Sequence, residues 1–191
     1  MSIINSLVNI GLGLILGIIL GLILAIISYK NTILKEIIMI PINIIKSIPI
    51  ASIVIILLVW FTSKSLPIMV VMLIVVPTIY FSAYEGFINV DTKILELSKV
   101  FCVDKKKIIK FVYLDKLREF LYPSIVLSTG LAFKSGVSAE VIALVKNSIG
   151  ENIYYSKLYL DTQDLFAWTI AIILLSKVCE KLITKLLIRV K

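Results

Sequence analysis

Within one apolar run, Tyr122–Val145, stand a carboxylate, an ammonium and a row of hydroxyls: Glu140, Lys134, Ser124, Ser128, Ser135 and Ser138. At about 100° per residue the four serines share one narrow helical face. Glu140 falls on the other side, near Thr129 and Gly136, and Lys134 projects in a third direction. Ionisable groups in a hydrophobic helix face protein or a water-filled route rather than lipid. Ser128, Lys134, Ser135, Ser138 and Glu140 are therefore the candidate lining of a polar path through a membrane. The alternative for the serines is a hydrogen bond to the carbonyl one turn earlier. Glu140 either meets what crosses or pairs with a group on another helix, because Lys134 lies on a different face.

A second concentration of charge is the stretch 84–119, which carries eight Lys or Arg and six Asp or Glu between two apolar segments. Its apolar residues recur with helical spacing, which predicts a folded cationic element rather than a linker. Such an element is a docking surface for a soluble partner. Glu96 and the run Lys105–Lys107 supply exposed charge, while Leu95, Val100, Phe101, Ile108 and Val112 supply apolar anchors. Positive charge beside a membrane explains most of the lysine run.

Other chemistry is excluded. The chain has no histidine, so no histidine base acts in catalysis. It has no GxxxxGK[ST] loop to cradle a nucleotide phosphate, and neither GxSxG nor HExxH. Cys102 and Cys179 are far apart in sequence and show no metal-ligand spacing. The expectation is a protein that is not an enzyme, without catalytic residues, metal or cofactor of its own. Any ATP and Mg belong to another polypeptide. The net charge of +8 is not a nucleic-acid signature, because the lysines cluster at the ends of apolar runs.

The elements that position these groups are set by hydropathy. Hydrophobic residues make up 60% of the chain and mean hydropathy is +1.06, well above soluble domains. The expected fold is all-α, one membrane helix bundle over residues 1–191. Its five apolar segments are Ser6–Ser28, Ile37–Phe61, Leu66–Ala83, Tyr122–Val145 and Asp164–Ile188. The first lacks the basic start of a signal peptide and is read as a retained span. With 84–119 inside, fifteen Lys or Arg lie inside and three outside (Lys64, Lys146 and Lys157). That bias predicts an outside N-terminus and an inside C-terminus. Gly13, Gly17 and Gly21 form GxxxGxxxG, read as close packing within one subunit in preference to a dimer face. Pro41, Pro49 and Pro77 are read as static bends.

With those segments in place, 84–119 resembles the cytoplasmic coupling loop of binding-protein-dependent ABC importer permeases. The family signature is EAA-x3-G-x9-I-x-L-P. Here Glu96 stands at the Glu, Leu97 and Ser98 at the alanines, and Cys102 at the Gly. Val112 and Leu114 stand at the Ile and Leu, and Asp115 at the Pro. Ile48-Pro49-Ile50-Ala51 looks like the family's IP-x-A segment, and Pro77 with Gly86 resembles its lead-in to the loop. Val137-Ser138-Ala139-Glu140 is similar to the V-x-A-E of the nitrate, taurine and aliphatic sulfonate branch. Ile149-Gly150 and Asp161-Thr162 follow that branch in order. Members of that branch commonly begin with one more span, so the resemblance makes this chain a short variant or one lacking its beginning.

The resemblance, over about residues 6–190, implies a permease subunit of the bacterial cytoplasmic membrane. A second copy would complete the path, ATPase subunits would dock on the loop, and an external binding protein would deliver the solute. The solute would be a small anion such as a sulfonate or nitrate, or a vitamin precursor. Carried over, the docking residues are Leu95, Glu96, Ser98, Val100, Phe101, Cys102, Asp104, Val112, Leu114 and Asp115. Gly at the motif centre permits a turn with positive φ. Cys102 does so less cheaply and Asp115 lacks the rigidity of Pro, so the turn or the partner's groove is expected to differ in detail. Two other classes remain open on the residues alone: a membrane scaffold that binds a partner without moving solute, and an oligomeric channel lined by the fourth span.

Overall fold

The computed structural model describes residues 1–189, and Val190 and Lys191, the latter counted in the charge bias above, lie outside them. Among the described residues the regular structure is helical and no strand occurs. Helix α1, Ser2–Lys30, is uncharged until its last residue. It stops at Asn31, whose backbone is extended and whose carboxamide oxygen accepts from the amides of Ile33 and Leu34 at 2.9 and 3.2 Å. One residue thus ends α1 and caps α2, Thr32–Ser47.

Ile37–Phe61 is not one continuous span. Proline disfavours helical geometry in the residue before it, so Ile48 is extended and α2 gives way to α3, Ile50–Leu58, at a bend of 105°. A bend thus stands at Pro49, whereas Pro41 and Pro77 sit inside helices that continue through them.

Helix α4, Leu66–Ile88, is followed by α5, Thr92–Val100, and the short α6, Lys105–Ile108. A π-helical turn, Ile109–Tyr113, leads without a break into α7, Leu114–Ala143. The boundaries 84–119 are therefore redrawn. Tyr84–Ile88 is the last stretch of α4, and everything from Lys105 onward belongs to a 39-residue helix ending at Ala143. At 1.5 Å per residue that helix is about 58 Å long, roughly twice the hydrocarbon thickness. Lys105–Lys107, Lys110, Asp115 and Lys116 lie in its first third, the part that suits water rather than hydrocarbon. Helices α8, Ile149–Leu158, and α9, Thr162–Arg189, complete the order.

Helix α1, α4 and Lys105–Ala143 are each long and apolar enough to cross a membrane, and the bent pair α2–α3 makes a fourth candidate. Helix α9 is as long, with an apolar first half and Lys177, Glu180, Lys181 and Lys185 in its second.

The centre of the bundle is α4, packed between α1 and α7. A Cβ added at Gly13, Gly17 or Gly21 would stand 2.7, 2.8 and 2.9 Å from the Cβ of Val71, Val75 and Ile79. Lipid removes the hydrophobic drive for helices to associate, so close backbone contact carries the packing. The GxxxGxxxG ridge therefore packs within the subunit. The other face of α1, with Val8, Ile15, Ile19 and Ile23, is exposed and suits hydrocarbon. Among the described residues no glycine has positive φ. The four left-handed positions belong to Cys102, Leu144, Asn147 and Leu160.

Candidate functional site

The charged element is a helix, a turn and the start of the long helix. Asp91 and Asp104 cap α5 and α6 by accepting from the amides of Lys93 and Lys106. Helix α5 ends in a paired closure: the Cys102 amide donates to Lys99 O at 3.1 Å and the Val103 amide to Ser98 O at 2.9 Å. That pattern requires a left-handed residue, and Cys102 supplies it with φ of 51°. Cys102 thus adopts, without glycine, a positive φ that glycine would permit more cheaply.

The ten predicted docking residues differ in exposure. Glu96, Val100, Phe101, Cys102 and Asp104 are exposed around the tip. Leu95 and Ser98 are half-buried, and the Ser98 hydroxyl donates to Ile94 O. Val112 and Asp115 line a groove between α5 and the long helix, and Leu114 stands on the outer wall. Asp115 lies in uninterrupted helix, so no turn exists where the motif has proline. Two apolar residues outside the predicted set are also exposed: Ile94 and Leu97, at 45% and 56%, which continue to Phe101 at 74%. Their i, i+3, i+7 spacing is the signal that would have found them.

An aromatic cluster braces the element against the spans. The hydroxyls of Tyr29, at the end of α1, and Tyr113, in the π-helical turn, are 3.1 Å apart, and Tyr29 stacks on Phe87. The π-helical turn changes the register of the long helix just before Tyr113, a device that recurs at functional positions. Across the same junction, Gly86 of α4 lies against the backbone of Leu117.

The candidate pathway residues separate into two environments. Ser128, Ser135 and Glu140 are enclosed by the subunit's own helices, Ser138 is half-buried and Lys134 is exposed. Ser124, Ser135 and Ser138 donate to the carbonyls of Phe120, Leu131 and Lys134, one turn back, and Ser124 also meets Ser82. Lys134 lines a cleft of about 710 Å³ between α7 and α9, beside the ion pair Lys177–Glu180.

Glu140 is the hub of a buried polar junction. One carboxylate oxygen accepts from the Ser6 hydroxyl at 2.8 Å and from the Gly150 amide at 3.1 Å. The Ile149 amide donates to Ser6 Oγ at 2.9 Å, and Ser148 caps α8 through the Glu151 amide. Gly150 presses on the Glu140 backbone closely enough that no Cβ fits. Among the described residues no cation pairs with Glu140. Its partners come from α1 and α8, which no spacing within α7 reveals.

The chain is a membrane helix bundle whose longest helix is preceded by a charged helix–turn element. Residues 17–187 match the family described as binding-protein-dependent transport system inner membrane component, and the chain belongs to that family. It is an ABC importer inner-membrane permease subunit, in a system whose ATP is hydrolysed by a separate subunit. In fold it resembles a chain of the solved structure "Crystal structure of an amino acid ABC transporter with histidines", with a TM-score of 0.68 and 12% identity. The likeness covers 97% of this chain and 89% of that one. No curated protein matches the chain.

Proposed function

We propose that this subunit, acting as a single domain over residues 1–191, pairs with a second copy of itself to form the path. It couples that path to ATPase subunits through α5, the Cys102 turn and α6. An external binding protein delivers a small anion, such as a sulfonate, a nitrate or a vitamin precursor. The N-terminus faces outward and the C-terminus inward, a reading supported by the distribution of lysines. Helix α7 lines the path with Lys134 and Ser138, and Ser128, Ser135 and Glu140 shape it from within the bundle. ATP and Mg are bound by the partner and no cofactor by this chain.

The observation that carries the coupling role is the apolar edge Ile94, Leu97 and Phe101, left uncovered at the far end of a helix too long for the bilayer. An amphipathic helix of this kind seats its apolar edge in a partner's groove. The test is co-purification with a co-expressed ATPase. Leu97→Asp with Phe101→Asp should lower ATPase recovery at least tenfold and abolish ATP-driven uptake, while the helix content of the permease is retained. Unchanged recovery and uptake would refute the docking role. Partner binding without any solute flux in proteoliposomes would favour a scaffold instead.

A further inference from the structure

At the end of the bundle opposite α5, three segments far apart in sequence line a cup of about 690 Å³, with Val8, Leu144 and Val145 among its walls. The first turns of α1 contribute Asn5 and Asn9, the α3–α4 turn contributes Thr62 and Lys64, and the α7–α8 turn contributes Lys146 and Asn147. The volume falls within the range of small-molecule sites. Its lining contrasts with the equally large cleft between α7 and α9, where apolar residues dominate. Two ammonium groups approach from separate loops, joined by carboxamide and hydroxyl donors, and no carboxylate lines the cup.

The rim is held in place. Leu144 and Asn147 are both left-handed, with φ of 49° and 55°. The Asn5 carboxamide donates to Asn147 O at 3.1 Å, and the Asn147 amide donates to Glu151. Glu151, the nearby acid, is thereby engaged at the start of α8, where the helix dipole also favours it. Fixed loops presenting two cations and several neutral donors suit an oxyanion, sulfonate or carboxylate, that offers several acceptor atoms.

We propose that this cup is an outer entry site for an anionic solute, a proposal that rests on the importer reading and its orientation above. A lipid phosphate shares the same chemistry. Soluble anions and phosphatidylglycerol, offered separately, distinguish the two sources.

The experiment uses the purified full chain in phosphatidylcholine nanodiscs without ATP or ATPase, titrated with ethanesulfonate and with succinate while thermal unfolding is followed. Saturable stabilisation is expected with at least one of the two and not with choline. Lys64→Gln with Lys146→Gln should weaken it at least tenfold, Lys64→Arg should retain it, and Lys157→Gln should leave it unchanged. Absence of saturable binding, or equal binding by the double variant, would overturn the site. Competition by phosphatidylglycerol without any response to the soluble anions would make it a lipid site and overturn the entry role. A failure of the importer reading would show instead as missing ATPase association, which this measurement does not involve.

Discussion

Replacing Glu140 separates a junction-forming role from a solute-handling one. In Glu140→Ala the Gly150 amide and the Ser6 hydroxyl both lose their acceptor in a site where Glu140 is fully buried. Each buried donor left unpaired costs about 1–3 kcal/mol, so the loss is about 4 kcal/mol in total. At about 2–4 °C per kcal/mol for a chain of this size, Tm should fall by on the order of 10 °C. Glu140→Gln keeps a carbonyl oxygen for both donors but sets its amide nitrogen where no partner stands, so its Tm should fall by less than that of Glu140→Ala. The assay is thermal unfolding of detergent-purified protein by circular dichroism, with ATP-driven uptake measured separately in proteoliposomes. An Ala variant that melts with the parent would refute the junction. A Gln variant that melts and assembles normally but takes up no solute would show that the carboxylate acts on the solute.

Three further substitutions test the geometry. Gly150→Ala drives a Cβ into the Glu140 and Val141 backbone and should cost about 3 kcal/mol through overpacking, read as a Tm drop comparable to that of Glu140→Ala. Gly17→Leu should separate α1 from Val75 of α4 and lower Tm, whereas Gly11→Leu, with nothing within 4 Å, should not; equal effects would refute the close packing of these helices. Cys102→Gly relieves about 1–2 kcal/mol of left-handed strain against about 0.5–1 kcal/mol of added chain entropy. Exchange of the Val103 amide should therefore slow a few-fold, and in Cys102→Val it should quicken; the opposite order would contradict the turn assigned to Cys102.

Much of the architecture was legible because it is local. Hydropathy marked the apolar segments, and the spacing from Glu96 to Asp115 marked a charged helix–turn element, in which Cys102 nevertheless adopts a positive φ that is costlier for it than for glycine. The 105° bend was signalled by Pro49 but its size was not, since proline dictates only where a helix stops and the packing of α3 on α7 and α4 decides where the chain goes next. The exposure of Ile94 and Leu97 was not legible in the sequence, because which edge of α5 its neighbours leave uncovered is set by packing.

The sequence by itself determined which segments are apolar enough for a membrane, which end of the bundle bears the charged element, and that glycine, not leucine, lies along one ridge of α1. These follow from composition and helical period, which act over a few residues. Only the tertiary structure decided what Glu140 meets. Its partners are a serine 134 positions earlier and an amide ten positions later. The same holds for the cup of Lys64 and Lys146, assembled from three turns. A burial requirement can be read from one helix, but the groups that satisfy it come from whichever helices the packing brings alongside.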